Sequence, residues 1–152
     1  MKQIALILLL FFCIISTSYA VDCNSCANCT AEAISGNKIL TVTEDLTSSG
    51  ECILINAPNT EINCQGHNIT AGTEYNCGIS AWDNNFANIT VKNCNFVAGT
   101  YGYCSWANNS IDYNNTATSN IDYGRYSWND FNTTIENNTY NRIYIYNSNY
   151  GI

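Results

Sequence analysis

Apolar residues in this chain come in short β-type runs, not in long helical stripes. The runs are Ile39-Leu40-Thr41-Val42, Ile53-Leu54-Ile55, Ile89-Thr90-Val91 and Ile143-Tyr144-Ile145-Tyr146. Turn-forming Asn, Gly, Ser or Asp lies close to each run, the signature of short strands joined by turns. No long stretch repeats its apolar residues at the helical period. Asparagine tolerates the left-handed conformation, so its abundance suits a chain with many tight corners.

Two patterns recur. Gly-x-x-x-Trp occurs at Gly78–Trp82, Gly102–Trp106 and Gly124–Trp128. An Asn-led segment with a central apolar residue also repeats, placing Ile62, Val91, Ile111 and Ile135 at equivalent positions. Repeats of this length with short strands and no helix predict an all-β fold, a parallel β-solenoid of about four to five turns. One turn cannot bury its inner face alone; stacking turns buries a continuous column. Stacked parallel strands lie about 4.8 Å apart, so equivalent residues form ladders. The expected ladders are Trp82, Trp106 and Trp128, facing inward, and Ile62, Val91, Ile111 and Ile135, also inward. Asp112, next to Ile111, is then expected to face solvent. Gly78, Gly102 and Gly124 are expected to mark one corner on successive turns.

The N-terminus carries an address. Met1-Lys2-Gln3 is followed by an uncharged apolar run from Ile4 to Ile15 and by small residues at Ser18 and Ala20. This predicts a signal peptide over 1–20, its apolar run too short to span a bilayer as a helix. The mature chain is expected outside the cytoplasm, secreted or at the cell surface, with no transmembrane segment. Without Lys2 it carries four basic and twelve acidic residues, a net charge of −8. Such a chain has too few cations to hold a phosphate backbone, which argues against nucleic acid as a partner.

Eight cysteines remain, and an even number in an exported chain reads as disulfides. Ladder geometry pairs Cys64 with Cys94 and Cys52 with Cys77, each one turn apart; the partners of Cys23, Cys26, Cys29 and Cys104 stay open. The Cys23-x-x-Cys26-x-x-Cys29 spacing has no matching second cluster, so disulfides are favoured over a metal, and no cofactor is expected. Residues 21–36 read as a Cys-rich cap with a brief helix from Ala31 to Ile34. Residues 37–152 read as the solenoid. Its ending, Tyr150-Gly151-Ile152, resembles the start of another turn, which suggests a piece of a longer solenoid or a chain that associates end to end.

The stretch CILINAPNTEINCQGHNITAG (Cys52 to Gly72) and the later NITVKNC and NNT units carry a resemblance. They are similar to right-handed parallel β-helix proteins of the pectin-lyase-like class, in particular secreted repeat proteins of archaea and bacteria. The resemblance covers roughly Lys38 to Ile152 and implies the fold more than any activity. It makes Gly66-His67 a structural turn. Lyases of the class use an acidic metal site with Arg or Lys as base, and its hydrolases use clustered aspartates. Asp112, Asp122, Asp130 and Arg125 are the residues of this chain that fit such roles, but scattered aspartates also belong to an ordinary surface.

Seven Asn-x-Ser/Thr sequons, at Asn28, Asn68, Asn88, Asn108, Asn114, Asn132 and Asn137, are candidate glycan acceptors. Tyr103, Tyr126, Tyr144 and Tyr146 are candidates to stack on sugars. The favoured reading is a non-enzymatic secreted or cell-surface protein that is structural, adhesive or in contact with a polysaccharide or cell-surface glycan. The alternative is a fragment of a carbohydrate-active lyase, hydrolase or epimerase whose catalytic turns lie beyond Ile152.

Overall fold

The computed structural model describes residues 18–83, 85–118 and 122–151, with backbone only for 149–151. The predicted signal peptide falls mostly on residues outside this set. Seventeen strands and one helix are present among the described residues, each numbered in chain order. Sheet A holds β1 (Tyr19–Cys23), β2 (Lys38–Val42), β5 (Thr60–Asn63), β8 (Thr90–Lys92), β11 (Ile111–Tyr113), β14 (Phe131–Glu136) and β17 (Asn149–Gly151). Sheet B holds β3 (Leu46–Thr47), β6 (Asn68–Thr70), β9 (Asn95–Ala98), β12 (Thr116–Ala117) and β15 (Thr139–Tyr140). Sheet C holds β4 (Ile53–Leu54), β7 (Cys77–Ala81), β10 (Tyr101–Ser105), β13 (Tyr123–Trp128) and β16 (Ile143–Tyr146). The chain visits A, B and C in rotation and each strand pairs in parallel with its equivalent one turn away, so the fold is a parallel β-solenoid of about six turns. This is slightly more than the four to five expected, because β1 and the Tyr-rich end also join the stack.

Asparagine builds the corners. Asn59, Asn88 and Asn109 have φ of 50–60° and precede sheet A strands, Asn132 (φ 54°) sits at the register irregularity near the start of β14, and Asn93, Asn114 and Asn137 follow sheet A strands at 53–55°. Their amides also link the turns. Asn88 Nδ2 donates to Asn59 Oδ1 at 2.7 Å, Asn114 to Asn93 at 2.8 Å and Asn132 to Asn109 at 2.8 Å. Each ladder bond satisfies a polar group at a bend where the backbone enters or leaves the sheet.

The interior of the early turns is apolar. Leu40, Ile62 and Val91 stack in sheet A, Ile53 and Ile79 in sheet C, and Ile69 and Phe96 in sheet B, all buried. The sheet A column then departs from expectation. Its next members after Val91 are Asp112 and Ile135, by strand register. Asp112 is fully buried, whereas Ile111 is 45 % exposed. The reason is the corner: Ile62, Val91, Asp112 and Ile135 each lie three residues after a left-handed asparagine. Alternation from that fixed point sets the facing, so aligning on the nearest apolar residue shifts this turn by one.

The three glycines correct a second expectation. Gly78, Gly102 and Gly124 are the second residues of β7, β10 and β13, not turn residues, and none has a positive φ. A Cβ on Gly78 would stand 2.7 Å from the Phe96 ring, and one on Gly124 2.6 Å from the Tyr140 ring. Glycine is required here because an aromatic ring from sheet B fills the space. The tryptophan four residues on follows the end of β7 and β10 and is the last residue of β13. Trp82 packs edge-on against Trp106 at 5.4 Å, while Trp128 packs against Tyr146 at 4.4 Å. All three tryptophans are half-buried at the rim of sheet C and do not face inward.

The cap contains one helix, α1 (Cys26–Glu32), which begins earlier than the expected Ala31–Ile34 segment. Ser25 Oγ caps it by accepting from the Asn28 N–H at 3.2 Å. The helix lies beside β4, the edge strand of sheet C. Thr30 Oγ1 accepts from the Leu54 N–H at 3.1 Å and donates to the Cys52 carbonyl at 3.3 Å. It thus satisfies edge groups that would otherwise be open to another strand.

Four disulfides hold the first half: Cys23–Cys29, Cys26–Cys52, Cys64–Cys94 and Cys77–Cys104. Cys64 and Cys94 lie one turn apart with a Cα separation of 4.7 Å. The expected Cys52–Cys77 pair does not form, although the Cys52 N–H donates to the Cys77 carbonyl at 3.3 Å. Helix α1 brings Cys26 to Cys52, and the next turn brings Cys104 to Cys77. Both sulfurs are therefore engaged on opposite sides.

Candidate functional site

Two chemically distinct features occupy the later turns, one inside the solenoid and one on its surface. Inside, sheet A contributes Asp112, sheet C contributes Tyr103 and Arg125, sheet B contributes Tyr140, and the corner after β13 contributes Asp130. Arg125 Nη2 donates to Asp130 Oδ2 at 2.8 Å, and Arg125 Nε lies 3.3 Å from Asp112 Oδ2. The guanidinium also sits over the Tyr103 ring, 4.1 Å from its centroid, a favourable cation–π arrangement. Tyr140 Oη donates to Asp112 Oδ1 at 2.7 Å, and Ser105 Oγ donates to Asp130 Oδ1 at 3.2 Å. Asn115 Nδ2 donates to Asp112 as well as to the Val91 carbonyl.

Asp112, Arg125 and Asp130 are all fully buried. Two carboxylates face one guanidinium, so the ionised cluster carries one excess negative charge in a site without water access. Burial raises Asp130 to about 6, against the opposing pull of Arg125. Burial likewise raises Asp112, with Arg125 and then Tyr140 and Asn115 opposing. Tyr103 and Tyr140 are also pushed upward by burial. This corrects the surface reading of Asp112 and Asp130: both come together with Arg125, and all three lie in the core with no solvent exposure. Asp122 lies apart, half-exposed. The group replaces apolar packing and acts as an ionic core.

Outside, β10, β13 and β16 project a run of tyrosines. Tyr126 and Tyr144 are stacked at 4.9 Å with planes 8° apart. Tyr101 lies 5.0 Å from Tyr126 and 6.1 Å from Tyr123, and Tyr123 lies 5.5 Å from Tyr144. All four are half-buried by one another and still reach solvent. Their contact is visible in their acidity: desolvation raises Tyr126, followed by its neighbours Tyr144 and Tyr123. Desolvation raises Tyr101 too, with Asp122 the next cause. Of the residues expected to offer rings, Tyr126 and Tyr144 do so, Tyr146 pairs with Trp128, and Tyr103 is buried under Arg125. Tyr101 and Tyr123 were not singled out from the sequence. The signal was available, because each directly precedes a repeat glycine and so shares one rung position.

The remaining candidates are placed as follows. His67 Nδ1 lies 3.3 Å from Asp45 Oδ1, whose carboxylate also accepts from the Asn68 N–H at 2.9 Å, a structural turn. Sequon residues Asn88, Asn114, Asn132 and Asn137 are exposed at left-handed corners. Asn28 lies in α1, Asn68 in β6 and Asn108 at a bridge to Ala87, all half-buried. Cys23, Cys26 and Cys29 are all oxidised, leaving no thiolate for a metal. An open groove is lined by Gln65, Gly66, Asn93, Cys94, Asn95, Asn114 and Thr116, amides and a hydroxyl with no charged side chain. Four disulfides point to folding outside the reducing cytoplasm. No described helix is long and apolar enough to cross a membrane. No family model matches this chain, and no curated protein or solved structure matches it significantly.

Proposed function

We propose that this is a non-enzymatic, secreted or cell-surface β-helix of the pectin-lyase-like type that contacts glycans through the tyrosine face of sheet C. The observation that supports this reading is the outward stack of Tyr101, Tyr123, Tyr126 and Tyr144 across three turns. Tyrosine offers a sugar ring an apolar face and a hydroxyl at low side-chain entropy cost. The parallel β-scaffold holds the rings rigidly, so little ordering is needed on binding. The exposed corner asparagines Asn88, Asn114, Asn132 and Asn137 suit glycan attachment in the same protein.

The test is binding of soluble polysaccharides by wild type and by Tyr126→Ala/Tyr144→Ala. These rings are on the surface, so far-UV circular dichroism should stay unchanged. Removing two stacking rings should weaken binding by at least ~10-fold. Equal binding by both proteins would refute the assignment of this face.

A further inference from the structure

The charges around the tyrosine face restrict what glycan it accepts. Glu51 stands at the entry to β4, accepting from Trp82 Nε1 at 3.0 Å. Glu74 precedes β7, Asp83 follows Trp82, and Asp122 directly precedes β13 and acts on Tyr101. All four lie at the ends of sheet C strands, the sheet that carries the rings, and Asp122 acts directly on one of them. The cations are elsewhere. Lys38 is held by Glu32 at 2.6 Å and Lys92 by Glu61 at 2.6 Å, both on sheet A. Arg125 is enclosed in the core. Arg142, exposed before β16, is the one basic side chain among the described residues that reaches solvent beside sheet C.

We propose that the tyrosine face selects glycans of neutral sugars and rejects polyuronates and sulfated chains. The proposal rests on the glycan-contact reading above and deepens it. A polyanionic chain laid along β10, β13 and β16 would meet several carboxylates and a single guanidinium. Like charges brought together without compensating cations oppose binding. They act within roughly 10 Å at 0.1 M salt, a reach that covers two rungs of the stack. A neutral chain meets no such barrier. Its hydroxyls can donate to the bordering carboxylates while its rings lie on the tyrosines.

The test is a titration followed by the tyrosine ring resonances, using neutral hexamers of β-1,4-linked glucose, mannose and xylose, and hexagalacturonate as the anionic probe. The expected result is binding of at least one neutral hexamer at Tyr126 and Tyr144, with hexagalacturonate at least ~10-fold weaker in low salt. That gap should narrow as salt is raised, and in Glu74→Gln/Asp122→Asn. Hexagalacturonate binding the same rings as tightly as every neutral hexamer would overturn the selectivity and leave glycan contact standing. No shift of the rings with any hexamer would overturn both.

Discussion

The two halves of this solenoid share one backbone and are held by different interiors. From β2 to β9 the core is Leu40, Ile53, Ile62, Ile69, Ile79, Val91 and Phe96, and every disulfide bond has its sulfurs at or before Cys104. From β10 onward the same columns hold Tyr103, Asp112, Arg125 and Ser127, with Asp130 at the corner after β13, all buried. The difference teaches that the β-solenoid repeat dictates where a side chain points and not what it is. Apolar burial is non-directional and tolerates variation in shape. A buried ionic cluster stabilises only while each partner is present, because an orphaned charge cannot be rehydrated.

The comparison is broken most severely by removing the cation. Arg125→Ala leaves Asp112 and Asp130 facing each other without a countercharge, a loss of about 3–5 kcal/mol. Hydrogen exchange should show the loss in β11, β13 and β14, with β2, β5 and β8 keeping their protection. The opposite half yields to a different change. Cys64→Ala/Cys94→Ala removes the link across β5 and β8 and should cost about 2–4 kcal/mol in thermal unfolding. It should leave the surroundings of Arg125 unaltered.

The halves should also separate by pH. Asp130 keeps its proton in the fold up to about 6, against an ordinary value of 3.8. The folded state therefore binds this proton more tightly than the unfolded state. Its contribution is fully present below pH 3.8 and is lost as pH rises through 6, about 3 kcal/mol in all. Urea unfolding at a series of pH values should show the later turns weakening across that window, with Asp130→Asn flattening the response. The smallest effect is expected at Ile111. Being exposed, Ile111→Asp should change stability by about 0.5 kcal/mol or less. A loss of several kcal/mol in melting experiments would return Ile111 to the core.

Much of the architecture was legible in the sequence, and the misses have physical causes. Short β-type runs, Asn-rich corners and the repeated Gly-x-x-x-Trp announce stacked strands. Adjacent-turn geometry singles out Cys64–Cys94. What misled was the assumption that the inner position of each turn must be apolar. Asn109 is left-handed like Asn59, Asn88 and Asn132, and counting three residues from it lands on Asp112. The partner of Cys52 was not readable because the position of α1 relative to β4 is a tertiary fact, and that of Cys77 because Cys104 lies three residues past the rung that registers with it. The ionic core was not readable as such either: Arg125 and Asp130 are close in sequence, but only the solenoid's turn brings Asp112 and Tyr103 to them.

The most direct test uses the fact that this chain has two arginines, Arg125 and Arg142. One is enclosed against the Tyr103 ring and the other is exposed. In the NMR spectrum of isotopically labelled protein, the account predicts one Arg side chain with slowly exchanging Nε–H, ring-current-shifted Hδ protons and contacts to Tyr103. The second should resemble a free arginine. Two equivalent, rapidly exchanging arginine signals in the folded protein would contradict the ionic core.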